Sequence, residues 1–158
     1  MNALLALIAL QTSSAAKEIG LIWDFPGKAI WADGHYNLVG KRFRGEVYCF
    51  TTTNGHFSAE ALFQSDTKKT KEAEATKEFS QVKLLTTFAG MPALLTDQRY
   101  LWNGAQVASR CVYAAQSKKA WVVRLWWPRV NSAGGAMAEA FLKSCRRTPE
   151  PPIRLPNG

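Results

Sequence analysis

Residues 93–127 read ALLTDQRYLWNGAQVASRCVYAAQSKKAWVVRLWW, and two chain reversals divide them into three strands. The first reversal is Asn103-Gly104, a dipeptide that tolerates the positive φ angles of a two-residue hairpin turn. The second runs from Gln116 to Lys119. Pro128 ends the third strand because it has no amide hydrogen to donate. This stretch therefore predicts three neighbouring antiparallel strands.

Two similar turn dipeptides occur nearer the N-terminus, at Asp33-Gly34 and Asn54-Gly55. Before the second of them, residues 47–53 are rich in β-branched and aromatic side chains, which favour strands. We expect a hairpin at each dipeptide, with residues 56–63 as the returning strand after Asn54-Gly55. Together with the 93–127 segment, these hairpins predict a largely antiparallel sheet of about six strands.

Two segments have helical rather than strand periodicity. Residues 65–79 begin with capping residues and contain strong helix formers, with a narrow apolar stripe at Ala75, Phe79 and Val82. Residues 131–147 form the second predicted helix, whose apolar residues recur at spacings of three and four: Gly134, Met137, Ala138, Phe141, Leu142 and Cys145. The predicted fold class is therefore α+β, an antiparallel sheet flanked by two helices.

The chain has 158 residues, 47% of them hydrophobic, which is enough for one packed core. We assign residues 17–147 to a single α+β domain. Residues 148–158 contain four prolines and predict an extended C-terminal tail.

The first sixteen residues, MNALLALIALQTSSAA, resemble a signal peptide. An apolar run from Ala3 to Leu10 precedes the small residues Ser14-Ala15-Ala16, which suit signal peptidase. The run is too short for a membrane-spanning helix, which needs about 20 residues. We therefore expect a secreted or periplasmic protein, with no transmembrane segment in the mature chain. A buried N-terminal helix and a start upstream of Met1 are the open alternatives.

The three cysteines are Cys49, Cys111 and Cys145, so one must remain unpaired within the chain. We predict a disulfide between Cys111, in a strand, and Cys145, at the end of the last helix. Bridges from Cys49 to either partner, and three free thiols, are the alternatives.

The C-terminal half resembles the PsbP-like family of small secreted sandwiches, which is related to bacterial DcrB-like proteins. The resemblance covers residues 82–147 and rests on Gly90-Met91-Pro92-Ala93, on the strand at residues 110–113, and on Phe141-Leu142-Lys143-Ser144-Cys145-Arg146. The family usually has phenylalanine where this chain has Cys145. The resemblance implies an antiparallel sheet flanked by helices and a non-enzymatic accessory role.

Catalytic motifs are sparse in this sequence. His35 and His56 follow the turns in the matching strings Asp33-Gly34-His35-Tyr36 and Asn54-Gly55-His56-Phe57. Asp33 and His35 could offer two metal ligands. The sequence has no third or fourth ligand at a spacing that is typical of a metal site. The sequence contains no phosphate loop, dinucleotide fingerprint or Gly-x-Ser-x-Gly motif. We therefore expect no cofactor, no metal and no enzymatic activity, with a small extracytoplasmic enzyme using His35 or His56 as the alternative.

Aromatic and basic residues supply the remaining candidate site. The formal net charge is +8, and there are six tryptophans. Trp126 and Trp127 must face opposite sides of a strand, so one of them is exposed unless both sheet faces are covered. We predict a recognition patch formed by Trp127, Arg129, Lys118 and Lys119. Such a patch suits a protein groove, a sugar or an anionic polymer.

The sequence thus favours an exported, non-catalytic accessory or binding protein. Its expected partner is another protein or an anionic ligand. Binding of an anionic polymer through the aromatic and basic patch is a third possibility, after the small enzyme. Nucleic acid is not expected as a partner, because an exported protein seldom meets it.

Overall fold

The structure, a computed structural model, describes residues 13–73 and 82–149, and these form ten strands and two helices. The strands are β1 (Ser13–Ala16), β2 (Leu21–Asp24), β3 (Lys28–Ala32), β4 (His35–Val39), β5 (Arg44–Thr51), β6 (Val82–Phe88), β7 (Met91–Trp102), β8 (Ala105–Gln116), β9 (Lys119–Pro128) and β10 (Arg146–Arg147). The helices are α1 (Ala59–Ala73) and α2 (Ser132–Ser144), and a 3-10 turn spans Lys17–Ile19.

Seven of the strands form one antiparallel sheet in the order β3-β4-β5-β9-β8-β7-β6. Hairpins join β3 to β4 at Asp33-Gly34, β7 to β8 at Asn103-Gly104, and β8 to β9 at Ser117-Lys118. The backbone has positive φ at Asp33, Asn103 and Ser117, as the turns require. The predicted α+β class, with an antiparallel sheet and two flanking helices, is confirmed.

One face of the large sheet, here called the α2 face, carries the main hydrophobic core. Helix α2 and the three-stranded sheet β1-β2-β10 pack on it. Trp121 lies at its centre, and its indole Nε1 donates a 2.8 Å hydrogen bond to the carbonyl of Ile19. Phe141 of α2 makes edge contacts with Trp23 and Phe25. The apolar stripe predicted for this helix therefore meets the sheet, with Ala138 and Phe141 buried.

The opposite face, here called the α1 face, is covered less completely. Helix α1 packs on β7 and β8 through Leu62 and Phe63, over a small cluster that includes Tyr113 and Val122. Phe63 and Tyr113 make an edge contact at 5.9 Å. In contrast, Ile30 on β3 and Phe50 on β5 are exposed on this side. The α1 face is therefore buried where α1 covers β7 and β8, and it is exposed on either side, at Ile30, Phe50 and Leu85.

The predicted strand at residues 56–63 is wrong. The chain after Asn54-Gly55 enters α1, because the Ser58 hydroxyl accepts a 3.1 Å hydrogen bond from the Ala61 amide and caps the helix. Helix α1 thus begins six residues before the predicted start at Ser65. Two members of its predicted stripe, Ala75 and Phe79, lie outside the described residues.

The ends of the chain contribute to the small sheet. Strand β1 pairs with β2 from Ser13↔Asp24 to Ala16↔Leu21, and the Ala16 side chain is buried. Residues 1–12 of the expected signal peptide and residues 150–158 of the expected tail lie outside the described residues. Cleavage after Ala16 stays a prediction, and it would remove β1 from the small sheet.

The predicted bridge between Cys111 and Cys145 is not present, and the three cysteines form no disulfide with one another. Cys111 points to the α1 face, where it packs with Leu94 and Tyr113, whereas Cys145 belongs to the core on the α2 face. Because side chains alternate along β8, the sheet itself separates the two sulfur atoms. Burial raises the pKa of the Cys145 thiol to about 12.

No helix among the described residues is long and apolar enough to cross a membrane.

Candidate functional site

A cleft of about 250 Å³ opens at the end of the large sheet, where β9 finishes and β5 begins. We call it the cationic cleft. Its apolar walls are Trp126, Trp127, Pro128 and Val107, and its basic side chains come from the loop between β4 and β5 and from the first residue of β5: Lys41, Arg42 and Arg44. The cleft therefore combines aromatic surface with three cations.

The strand register explains how the cleft forms. Arg44 is the partner of Trp126 in the antiparallel pairing of β5 with β9, so both side chains lie on the α1 face. Trp127 points to the other face, where it packs against Gly134 and Gly135 of α2. A Cβ atom at Gly134 would lie 2.8 Å from the Trp127 Cβ, so glycine is required for this approach. The two indoles are each half-buried and line one cleft from opposite sides of β9.

The cations at this end have no acidic partner among the residues that the structure describes. The ion pairs of the described chain involve Arg110 with Asp97, Arg124 with Asp66, Lys143 with Glu139, and Arg146 with Asp24. Lys41, Arg42, Arg44 and Arg129 take part in none of them, and all four are exposed. Arg129 instead donates a 3.1 Å hydrogen bond to the Gln106 side chain. Four uncompensated positive charges therefore surround an aromatic cleft, which favours an anionic ligand.

The structure does not bring the four residues of the predicted patch together. Trp127 lines the cleft, and Arg129 is the next residue in the chain after Pro128, which also lines it. Lys118 and Lys119 lie at the other end of β9, in the hairpin from β8. Trp127 lies eight positions after Lys119 along the extended strand, which is roughly 26 Å at about 3.3 Å per residue. The two lysines therefore belong to a different surface. The basic residues that line the cleft with Trp127 are instead Lys41, Arg42 and Arg44.

A second cleft, of about 140 Å³, lies between α1 and the sheet and is lined by Tyr48, Phe50, Leu62, Ser65, Asp66, Tyr113, Val122 and Arg124. Its polar groups bond to one another. The Asp66 carboxylate accepts a 2.5 Å hydrogen bond from Arg124 and another from the Tyr113 hydroxyl. The Tyr48 hydroxyl donates to Glu46 at 2.6 Å. The hydrogen bonds of Asp66 therefore hold α1 against strands β8 and β9.

The pKa shifts in the second cleft follow from this bonding. Burial, followed by the hydrogen bond to Glu46, raises the pKa of Tyr48 to about 12. Burial also raises the pKa of Tyr113, with a further contribution from Asp66. For Arg124, burial alone would lower the pKa, but the bond to Asp66 reverses the effect and raises it. These groups therefore keep their neutral-pH charge states over a wide pH range.

The two histidines lie apart from the cationic cleft and contact different groups. The His35 ring stacks on Tyr48 with centroids 4.5 Å apart, and its Nε2 lies 3.1 Å from the Asn37 side-chain oxygen. Its Nδ1 faces the backbone carbonyl of Asp33, not the carboxylate proposed as a metal ligand. His56 is exposed, and its Nδ1 lies 3.5 Å from the Ser117 hydroxyl. No group of three potential ligands for a metal occurs within residues 13–73 and 82–149.

No protein-family model and no curated protein matches this chain. Solved structures share its fold. A protein of Bacteroides thetaiotaomicron VPI-5482, solved at 1.50 Å, superposes with a TM-score of 0.61 at 10% identity, over 88% of this chain and 49% of its own. This chain thus spans about half the length of that protein.

LpqN of Mycobacterium tuberculosis, a protein involved in cell envelope biogenesis, superposes with a TM-score of 0.52 at 13% identity, over 87% of this chain and 90% of LpqN. PA94 of Pseudomonas aeruginosa, a protein of unknown function, covers 89% of this chain with a TM-score of 0.48 at 14% identity. At 10% and 13% identity, the similarities to the Bacteroides protein and to LpqN show a shared fold alone. The resemblance to PsbP-like proteins is not confirmed at the level of the family.

Proposed function

We propose that this chain is an exported, non-catalytic binding protein that holds an anionic ligand in the cationic cleft. The observation that carries the proposal is a set of four exposed cations, in or next to an aromatic cleft, that have no acidic partner within residues 13–73 and 82–149: Lys41, Arg42, Arg44 and Arg129. Proteins normally intersperse charges of both signs, and a one-sign cluster next to a concave apolar wall attracts anions.

The chemistry of the cleft supports binding rather than catalysis. Guanidinium and ammonium groups suit ion pairing, and neutral indole rings suit stacking, more than any of them suits proton transfer. Arginine can bond two oxygens of a phosphate, sulfate or carboxylate at once. Trp126 and Trp127 can stack on a flat apolar portion of the same ligand. The half-buried His35 ring belongs to a different surface.

Export and an accessory role rest on separate support. Residues 1–16 resemble a signal peptide, and the C-terminal half resembles PsbP-like proteins, which act as non-enzymatic accessory factors. LpqN, whose fold is similar, is involved in cell envelope biogenesis. We accordingly place this protein outside the cytoplasm, in the periplasm or beyond, with a ligand of the envelope or its surroundings.

The test compares two pairs of basic residues that lie near opposite ends of β9. Arg42→Gln with Arg44→Gln removes two charges from the cleft, and Lys118→Gln with Lys119→Gln removes two charges from the far end of β9. Inorganic polyphosphate serves as the probe, with affinity measured by calorimetry at several salt concentrations. We expect the cleft pair to weaken binding about tenfold or more and the far pair to change it less than about twofold.

Equal losses from the two pairs would mean that net charge alone drives binding. That result, or no binding of polyphosphate by the unmodified protein, would contradict the proposed function.

A further inference from the structure

Two apolar side chains protrude from the loops around the cationic cleft. Val130, in the turn between β9 and α2, is 94% exposed, and Leu101, at the end of β7, is 49% exposed. Burial of these aliphatic surfaces against an apolar phase would be favourable. Neither side chain lines the cationic cleft or the second cleft.

The two side chains lie at the same end of the molecule as the cations. Leu101 is the register partner of Gln106 across the β7–β8 hairpin. Gln106 in turn accepts hydrogen bonds from the backbone amide and the side chain of Arg129, at 2.9 and 3.1 Å. Val130 follows Arg129 directly. The path from Leu101 through Gln106 and Arg129 to Val130 therefore places the Cα atoms of Leu101 and Val130 within about 15 Å of each other.

The loops at this end that the structure describes contain no acidic residue. Residues 40–43 read GKRF, residues 103–104 read NG, and residues 129–131 read RVN. An anionic surface would therefore meet no carboxylate on these loops. The same surface would find Lys41, Arg42 and Arg129 beside two protruding apolar side chains and two indoles.

We infer that this end docks on an anionic lipid bilayer, with Val130 and Leu101 in the interface and the cations on lipid phosphates. The inference rests on the proposed function, since it names the anionic partner of the same cleft. An isolated aliphatic side chain that protrudes from the surface can insert among the acyl chains of a bilayer. A soluble anionic polymer provides no apolar phase for such a side chain. Trp126 and Trp127 have the amphipathic rings that prefer the headgroup region.

The expected binding follows from the charge of the bilayer. Each basic residue near an anionic surface contributes about fivefold to affinity at low salt, and the contribution falls within a Debye length. Vesicles of phosphatidylcholine alone should therefore bind weakly. Vesicles that also contain phosphatidylglycerol should bind the full-length protein, and added salt should release it.

The experiment uses cosedimentation with these two vesicle types and polyphosphate affinity as a parallel measurement. The variant Val130→Ser with Leu101→Ser should weaken binding to phosphatidylglycerol vesicles at least about fivefold, as expected for two lost aliphatic contacts, and leave polyphosphate affinity unchanged. Arg42→Gln with Arg44→Gln should weaken both. A matched control, Leu85→Ser with Ile30→Ser, removes two exposed apolar side chains from other strands and should change neither.

The outcomes separate the two proposals. Cleft-dependent binding of polyphosphate without binding of phosphatidylglycerol vesicles would overturn the membrane inference and leave the proposed function standing. Equal binding to both vesicle types, or an equal loss in the control variant, would also overturn the membrane inference. Failure to bind polyphosphate and vesicles alike would overturn both proposals.

Discussion

Arg44 and Trp126 are register partners on neighbouring strands, although 81 residues of sequence lie between them. Their side chains share the α1 face at the end of the sheet, and both line the cationic cleft. This pairing places a guanidinium beside an indole without an acidic residue between them. A ligand that carries both a negative charge and an apolar surface could contact the two groups at once.

Trp126→Ala should weaken binding of phenyl phosphate, a probe that carries both a negative charge and an apolar ring, about threefold to tenfold, since an aromatic stacking contact is worth about 0.5–1.5 kcal/mol. Calorimetric titration measures the change. Trp31→Ala is a matched control, because Trp31 is exposed on β3 and is remote from the cleft in the strand order. An equal loss from Trp31→Ala would contradict the assignment of the site.

Phe141→Ala should lower the free energy of unfolding by about 3–5 kcal/mol, the usual cost of truncating a buried phenylalanine. Phe141 is 2% exposed and contacts the rings of Trp23, Phe25 and Phe43. Denaturant unfolding measures the effect. Leu85→Ala, at a side chain that is 88% exposed, should change stability by less than about 0.5 kcal/mol.

Asp66→Asn should loosen α1 from the sheet, because the Asp66 carboxylate accepts bonds from both Tyr113 and Arg124. Charge-assisted hydrogen bonds contribute about 1.5–3 kcal/mol each, and hydrogen exchange in α1 should accelerate accordingly. Asp33→Asn is the control, since asparagine also tolerates the positive φ of that turn. Unchanged protection of α1 in Asp66→Asn would show that its apolar contacts alone hold the helix.

Stability should fall above pH 9, because burial raises the pKa of Cys145 from its ordinary value of 9.0 to about 12. The unfolded chain loses the thiol proton first, so the stabilisation is complete below pH 9 and is lost as the pH rises toward 12. The loss is on the order of 4 kcal/mol at full ionisation. Melting curves of Cys145→Ala should have a shallower alkaline slope than those of the unmodified protein, and an identical slope would contradict this assignment.

Local sequence signals predicted much of the sheet and one helix. Asn103-Gly104 and Asp33-Gly34 are turns because their backbone has positive φ there, and this requirement is local. Asn54-Gly55 has the same chemistry, with positive φ at Gly55, yet no hairpin follows it. The capping hydroxyl of Ser58 was the signal that could have corrected this prediction.

The candidate site was only half predictable from the sequence, for a physical reason. Trp127 and Arg129 are close in sequence, so they could be assigned to one patch. Arg42 and Arg44 join them only because β5 pairs with β9, and a single sequence does not say which strands become neighbours. Lys118 and Lys119 looked suitable because they precede the same strand, but the length of β9 separates them from the cleft. Likewise, the alternation that places Cys111 away from Cys145 depends on the strand register.

The central claim is that the cationic cleft binds an anionic ligand, and the indole N–H signals of the six tryptophans test it most directly. In NMR spectra of protein labelled with ¹⁵N at tryptophan, addition of polyphosphate should shift the signals of Trp126 and Trp127. The signals of Trp23 and Trp121, buried on the α2 face, should stay in place, as should that of Trp31. Shifts confined to Trp31, or no shift at Trp126 and Trp127 while polyphosphate binds, would contradict the account.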